Sequence, residues 1–126
     1  MKASTFFVLI GERDPFMQRM LEHTLKDHFR VAFSDNGAAL LQQARQQRPD
    51  LVMLEILLPV LDGLQVCRLL KQDPATQHIP VVFHTLLSAE EEARQAGADG
   101  FLLKPTPPQD IIANIQNILG PSSPHL

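Results

Sequence analysis

The sequence has few of the features that would build a cross-linked, membrane-spanning or polyanion-binding protein. It contains one cysteine, Cys67, so an internal disulfide and a multi-cysteine metal site are both excluded. The apolar run at residues 6–10 is too short to cross a bilayer, and no small-residue cleavage site follows it. Acidic residues outnumber basic residues by 14 to 11, so no net positive field attracts nucleic acid or an anionic membrane. We therefore expect a cytoplasmic protein, since a lone thiol fits a reducing compartment.

The composition is that of an ordinary globular domain. Hydrophobic residues make up 44% of the chain and charged residues 20%. A length of 126 residues is enough for one domain with a substantial core. We predict that residues 1–120 form this domain and that residues 121–126, which include two prolines and two serines, form a flexible C-terminal tail.

Short apolar runs alternate along the chain with segments in which apolar residues recur at helical spacing. The runs cover residues 6–10, 51–54, 81–83 and 101–103, and residues 30–34 alternate as a shorter second strand. Strands and helices that alternate in this way form a parallel sheet covered by helices on both faces. We therefore predict a doubly wound α/β fold.

Two of the predicted helices carry side-chain start signals. Asp14 precedes Pro15. An Asp side chain can accept from the free backbone N–H groups of a first turn, and the proline ring fixes φ near its helical value. We therefore expect Asp14 to cap the first helix. Ser88 and Glu91 have the spacing of a capping box and predict the start of a short fourth helix over residues 89–96. Gly97 predicts its end.

Polar side chains follow four of the predicted strands at their carboxyl ends. In a doubly wound sheet these ends meet at one edge, and ligands bind there. We expect one site that contains Glu12, Arg13, Asp14, Glu55, Thr85 and Lys104.

Three stretches give the sequence a resemblance to a known family. PDLVMLEILLPVLDGLQVCRLLK begins at Pro49, IPVVFHT at Ile79 and AGADGFLLKP at Ala96. In this order and spacing they resemble the receiver domain of two-component response regulators. The resemblance implies a flavodoxin-like sheet of five parallel strands in the order 2-1-3-4-5. It also implies a signalling module that accepts a phosphoryl group from a histidine kinase on one Asp, beside Mg²⁺ held by acids after the first strand.

Several site positions match the family by this resemblance. Thr85 and Lys104 stand where the family contacts the phosphoryl group, and Glu12 takes the first position of the acidic pair. Phe101 stands at the position of the aromatic residue that moves when the domain is phosphorylated. We expect Phe101 to be core packing in the first instance.

Two positions depart from the family. Glu55 stands at the position of the phosphoaccepting Asp, and Arg13 stands at the second metal-holding acid. We expect Arg13 to pair with Glu55, so that the formal charges of Glu12, Arg13, Glu55 and Lys104 sum to zero. Mg²⁺ requires oxygen ligands, and a cation at ~4 Å repels it by about 4 kcal/mol or more near a surface. We therefore predict weak or absent Mg²⁺ binding and no other cofactor.

The longer acid also changes the acceptor chemistry. Glu55 places its oxygen beyond the position an Asp would reach, and a misplacement of that kind can slow phosphoryl transfer on the order of 10²-fold. We predict a pseudo-receiver that is not phosphorylated in the usual way. An alternative stays open, in which the chain is a working receiver that accepts the phosphoryl group on Glu55 and uses Asp14 in place of Arg13 to hold Mg²⁺.

The surface through which partners act also departs from the family. From Thr85 to Lys104 the chain is about three residues shorter than typical receivers, or roughly one helical turn. We expect protein partners, such as a histidine kinase or an output protein, at the face formed by the fourth helix, fifth strand and fifth helix. A homodimer stays open as an alternative. We predict no enzyme activity, because a phosphohydrolase of this fold class would need a second acid where Ile56 and Leu57 stand.

Two further residues have chemistry that the predicted function does not use. Cys67 lies on a helical apolar stripe and is predicted to be core. His84 is next to Thr85 on the fourth strand, and we expect it to be packed inside the protein without a catalytic role.

Overall fold

The computed structural model describes residues 5–120, which form a single alternation of strands and helices. The elements are β1 (Phe7–Gly11), α1 (Pro15–Leu25), β2 (Arg30–Ser34), α2 (Gly37–Gln47), β3 (Leu51–Leu54), α3 (Gly63–Gln72), β4 (Val81–Thr85), α4 (Glu90–Gln95), β5 (Gly100–Leu103) and α5 (Pro108–Leu119). The predicted tail, residues 121–126, lies outside the described part of the chain. No helix within residues 5–120 has the length and apolar character needed to cross a membrane.

The strands form one parallel sheet in the order β2-β1-β3-β4-β5. This confirms the predicted doubly wound, flavodoxin-like α/β fold. The central strands β1, β3 and β4 are buried along their whole length, as expected of continuous apolar runs covered on both faces. β1 reaches Gly11, one residue past the predicted run, because Gly11 pairs with β2 and with β3.

The core consists of two layers, one on each face of the sheet. Because side chains alternate along a strand, Leu9 points to the α2, α3 and α4 face, while Val8 and Ile10 point to the α1 and α5 face. Cys67 of α3 is buried in the first layer, which confirms the prediction that it is a core residue. This packing holds the carboxyl ends of the strands at a common edge.

The observed start of α1 agrees with the prediction from the sequence, whereas the observed start of α4 differs from it. The Asp14 carboxylate accepts from the Phe16 amide at 3.0 Å, so the predicted cap of α1 is confirmed. The predicted capping box at Ser88 is wrong, because α4 begins after Ala89 without a side-chain cap. The physical reason is that Glu91 turns toward the end of the helix, where its carboxylate accepts from Arg94 and Gln95.

Candidate functional site

Four of the predicted site residues meet at the carboxyl edge of the sheet. Glu12 follows β1, Glu55 follows β3, Thr85 ends β4 and Lys104 follows β5. All four are buried, with exposed fractions between 0% and 9%. Polar side chains are rarely buried to this degree unless they bond to one another.

Lys104 is the centre of the site. Its Nζ donates to Glu12 Oε1 at 2.8 Å and to Glu55 Oε1 at 2.8 Å. The buried group therefore has two carboxylates, one ammonium and a formal charge of −1. Removing such charges from water is costly, and the two ion pairs of Lys104 offset part of that cost.

The second oxygen of Glu55 is also occupied. Glu55 Oε2 accepts from the Thr85 hydroxyl and from the Leu57 amide, the latter at 3.1 Å. The Thr85 oxygen in turn accepts from the Leu87 amide at 3.3 Å, in the loop that leads to α4. The carboxylate thus connects the loops that follow β3 and β4.

The ion pairs determine whether Glu55 and Lys104 are charged. Burial by itself would raise the pKa of Glu55, but hydrogen bonds from Lys104, Thr85 and the Leu57 amide outweigh it and hold the pKa below the ordinary value. Burial would lower the pKa of Lys104, but its hydrogen bonds to Glu12 and Glu55 outweigh that effect and raise the pKa. Glu55 is therefore a carboxylate and Lys104 an ammonium at neutral pH.

The local backbone explains how Glu55 reaches this position. Its amide donates to the Gly11 carbonyl at 2.9 Å, which extends the pairing of β1 with β3 by one residue. The loop then returns against its own start, where the Gly63 amide donates to the Ile56 carbonyl at 2.8 Å. A Cβ atom on Gly63 would lie 2.4 Å from the Glu55 carbonyl oxygen, so only glycine permits this approach.

The same loop contains a capping signal that sequence reasoning missed. The Asp62 carboxylate accepts from the Gln65 amide at 2.9 Å, and the Gln65 side chain accepts from the Asp62 amide at 3.0 Å. The spacing of these two residues is that of a capping box and was visible in the sequence. It fixes the start of α3 next to Glu55.

Arg13 does not enter the site, so the predicted Arg13–Glu55 ion pair is wrong. The Arg13 side chain is exposed, and within residues 5–120 it forms no ion pair. The reason is competition: Lys104 already occupies Glu55 inside the protein, and an exposed guanidinium keeps its hydration. The predicted zero charge is corrected to −1 for the same reason. Asp14 is also exposed, and its carboxylate bonds to the Phe16 amide.

Phe101 and His84 lie beside the site. Phe101 is partly buried and packs against the core layer that contains Phe83, which agrees with its prediction as a packing residue. His84 is buried as predicted, with an exposed fraction of 2%. Its Nδ1 has no hydrogen-bond partner within the described residues, and burial lowers the pKa of His84 to about 4. The sequence contained no signal for that unpaired nitrogen.

The donor set of the site does not suit a divalent cation. The two buried carboxylates, Glu12 and Glu55, each use one oxygen on Lys104. Among residues 5–120 no cluster of three or more His, Cys, Asp or Glu side chains is arranged to hold a metal ion. Mg²⁺ would have to share these carboxylates with an ammonium that already binds them.

Known proteins include a family whose sequence model matches most of this chain. The sequence model of the family described as Response regulator receiver domain matches residues 8–116. The chain belongs to the receiver domain family. That match contains every residue of the buried site, and receiver domains are signalling modules of two-component systems.

Relatives of this receiver domain differ in how much of their length lies outside the matched region. It is 30% identical over 116 residues to the chemotaxis protein CheY of Halobacterium salinarum, a match that covers 89% of this chain and 95% of that protein. It is 36% identical over 104 residues to the response regulator PleD of Caulobacter vibrioides, covering 79% of this chain. The receiver domain spans only 23% of the length of PleD.

A solved structure of similar fold comes from a kinase. The signal receiver domain of a signal transduction histidine kinase from Syntrophus aciditrophicus superposes with a TM-score of 0.85 at 30% identity. The superposition covers 90% of this chain and 89% of that one. The similarity agrees with the doubly wound fold described above.

Proposed function

We propose that this receiver domain acts by binding protein partners and that internal ion pairs take the place of phosphorylation in its pocket. The observation that carries the proposal is the state of Glu55, the residue at the phosphoacceptor position. Both of its carboxylate oxygens are occupied, one by Lys104 at 2.8 Å and the other by Thr85 and the Leu57 amide.

The reacting oxygen is therefore poorly available. To accept a phosphoryl group, a carboxylate oxygen must face the donor in line and must give up its own hydrogen bonds. Glu55 would have to break a buried ion pair with Lys104 or its bonds to Thr85 and Leu57, and breaking buried pairs costs several kcal/mol. Each loss of about 1.4 kcal/mol slows a reaction roughly tenfold.

The position at which the family has its second metal-holding acid supports the same proposal. The resemblance to the family places an acid where this chain has Arg13, and Arg13 is exposed at the edge of the site. The remaining carboxylates, Glu12 and Glu55, are neutralised in part by Lys104. We expect Mg²⁺ binding to be weak or absent, because the ion would meet a donor set with too few free oxygens, beside the Lys104 ammonium.

The hydrogen bonds of the buried site also reach the β4–α4 loop, which leads to the surface where partners are expected. The Thr85 hydroxyl is held toward Glu55, and the Thr85 oxygen accepts from the Leu87 amide in the β4–α4 loop. Glu55 therefore sets this loop permanently, without a modification. The expected partners are a histidine kinase or an output protein, bound at the face of α4, β5 and α5. We propose that the domain is a cytoplasmic binding module with no enzyme activity of its own.

The alternative of a working receiver with Asp14 as metal ligand has less support. The Asp14 carboxylate is used by the Phe16 amide at the start of α1. A metal that took the capping oxygen of Asp14 would cost the helix that cap, which contributes about 1 kcal/mol.

The proposal is tested by incubating the protein with Mg²⁺ and a small acyl phosphate and measuring its intact mass. We expect no phosphoryl adduct, and no Mg²⁺-dependent amide shifts at Glu12 or Glu55. The Arg13→Asp/Glu55→Asp double variant serves as the positive control, since it restores the acids of the family, and we expect it to be phosphorylated. Stoichiometric phosphorylation of wild-type Glu55 would refute the proposal.

A further inference from the structure

One asparagine of this chain has a sequence context in which its side-chain amide can react with the backbone. The chain contains three asparagines, and only Asn36 is followed by glycine. Asn114 and Asn117 each precede an isoleucine, whose branched side chain crowds the backbone nitrogen that would have to attack. Glycine has no Cβ atom, so the Gly37 nitrogen is the least hindered of the three nucleophiles.

The reaction of such a pair is an intramolecular deamidation, and its only co-reactant is water. The Gly37 nitrogen gives up its proton and attacks Asn36 Cγ, so that a C–N bond forms. The Cγ–Nδ2 bond breaks, and the amide nitrogen takes up a proton and leaves as ammonia. Water then opens the five-membered succinimide at one of its two carbonyl groups. The products are an aspartyl residue and an isoaspartyl residue, in which the main chain runs through the side-chain carbons.

In the folded domain both reacting groups are held in other hydrogen bonds. The Gly37 amide donates to the Pro59 carbonyl at 3.0 Å. Asn36 Oδ1 accepts from the Ala39 amide at 2.8 Å and thereby caps α2. The ψ angle of Asn36 is 159°, an extended conformation in which the Gly37 nitrogen is not aligned with Cγ. The reaction therefore requires rotation about ψ and loss of the bond to Pro59.

The contact between α2 and the β3–α3 loop, residues 55–62, opposes this rotation. Gly37 is buried, and a Cβ atom on it would overlap the Leu61 carbonyl oxygen. The Pro59 carbonyl also accepts from the Leu61 amide at 2.9 Å, which closes the turn over the start of α2. The Gly37 nitrogen is therefore released only when the loop moves away from α2.

We propose that Asn36 is a spontaneous deamidation site whose rate is controlled by opening of the β3–α3 loop. The closed state is protected, and the reaction proceeds from the fraction of molecules in which the loop has opened. The inference is independent of the proposed function, because the reaction needs neither a protein partner nor a phosphoryl group.

The modification in turn changes the loop that follows Glu55. The isoaspartyl product adds one main-chain atom before Gly37, so the Gly37 amide no longer lies opposite the Pro59 carbonyl. The Leu57 amide, which donates to Glu55 at 3.1 Å, belongs to the same loop. The aspartyl product keeps the cap of α2, because aspartate and asparagine are equally favourable at that position. We expect the isoaspartyl form to loosen the loop and the aspartyl form to leave it in place.

The test follows the purified protein at mildly alkaline pH by peptide mapping, in native buffer and in guanidinium chloride. We expect the Asn36 peptide to gain the mass of the amide-to-acid change in denaturant, and to do so about tenfold or more slowly in native buffer. The peptide that contains Asn114 and Asn117 is the internal control and should stay unmodified over the same period. An unmodified Asn36 peptide in denaturant, or equal rates in the two conditions, would overturn the inference.

Two proline variants separate opening of the loop from unfolding of the whole domain. Pro59→Gly makes the loop over Gly37 more flexible, and we expect it to raise the native rate about threefold or more. The control Pro74→Gly makes the same change at an exposed position between α3 and β4, and its rate should stay within about twofold of wild type. Equal rates in the two variants would show that global unfolding, and not the loop, controls the reaction.

Two measurements need no loop variant. By hydrogen exchange of the wild-type protein, the Gly37 amide should exchange faster than the Leu9 amide of the central strand β1. Exchange of both amides at one rate would contradict opening of the loop by itself. In the separated products, the Leu57 amide should shift in the isoaspartyl form and stay in place in the aspartyl form. An unshifted Leu57 amide in the isoaspartyl form would refute the effect on the loop.

Discussion

At the scale of single residues, the site depends on one cation shared by two acids. Lys104 forms ion pairs with both Glu12 and Glu55, and its side chain is 6% exposed. Each carboxylate would be costly to bury without it, because the interior solvates charge poorly. Lys104 therefore has a structural role that is independent of any phosphoryl group.

We predict that Lys104→Met lowers the free energy of unfolding by about 3–5 kcal/mol, because it leaves two buried carboxylates without a cation. Urea denaturation at neutral pH measures this loss. The control Glu55→Gln keeps the Lys104–Glu12 pair and should cost less than half as much. The difference between Lys104→Met and wild type should narrow as the pH falls into the range where carboxylates bind protons. A loss below about 1 kcal/mol would contradict the structural role.

At the scale of elements, the loop between β3 and α3 carries backbone strain next to Glu55. Val60 has a φ of 74°, a region that β-branched residues rarely occupy, and its side chain is 76% exposed. Its neighbour Pro59 accepts from the Gly37 amide at 3.0 Å and from the Leu61 amide at 2.9 Å, which holds the turn. The loop imposes this conformation on Val60, since its apolar side chain gains little from the exposed position.

We predict that Val60→Asn raises the free energy of unfolding by about 1 kcal/mol, because asparagine adopts positive φ more readily than valine. The matched control is Val60→Thr, which is β-branched and polar and should bring no gain. Thermal and urea unfolding of wild type, Val60→Asn and Val60→Thr measure these differences in stability. If the threonine variant gains as much as the asparagine variant, removal of exposed apolar surface is the cause and the strain argument fails.

At the scale of the whole molecule, the two core layers enclose ionisable groups whose protonation depends on the fold. His84 is buried and its pKa lies at about 4, chiefly because burial disfavours the charged form, and Lys104 lowers it further. In the unfolded chain the imidazole takes up a proton near pH 6.5. The unfolded state thus binds more protons between about pH 4 and 6.5, so acid favours unfolding in this range.

We predict that the free energy of unfolding falls as the pH is lowered from about 6.5 to 4, with His84 contributing on the order of 3 kcal/mol. Glu55 adds a further loss at lower pH, because its pKa is lowered in the folded state and its stabilisation disappears on protonation. His84→Leu should flatten the upper part of the profile and should itself be stabilising at pH 5. Urea denaturation at a series of pH values measures both effects. An unchanged slope in His84→Leu would refute the assignment.

Much of the architecture was predictable because it depends on local patterns. Continuous apolar runs predicted the buried strands β1, β3 and β4, and the Asp14–Pro15 pair predicted the cap of α1. The start of α4 was not predictable in this way. Glu91 had two bonding choices within one turn, and only the folded helix showed that it bonds toward Arg94.

The sequence by itself determined which residues reach the carboxyl edge of the sheet, since the order of strands and loops assigns Glu12, Glu55, Thr85 and Lys104 to the strand ends. The tertiary structure decided which of them bond. Two cations stood within plausible reach of Glu55, and charge alone does not choose between Lys104 and Arg13. The choice follows from burial: the Lys104 side chain is buried after β5 and loses its hydration on folding, whereas Arg13 is exposed and keeps it.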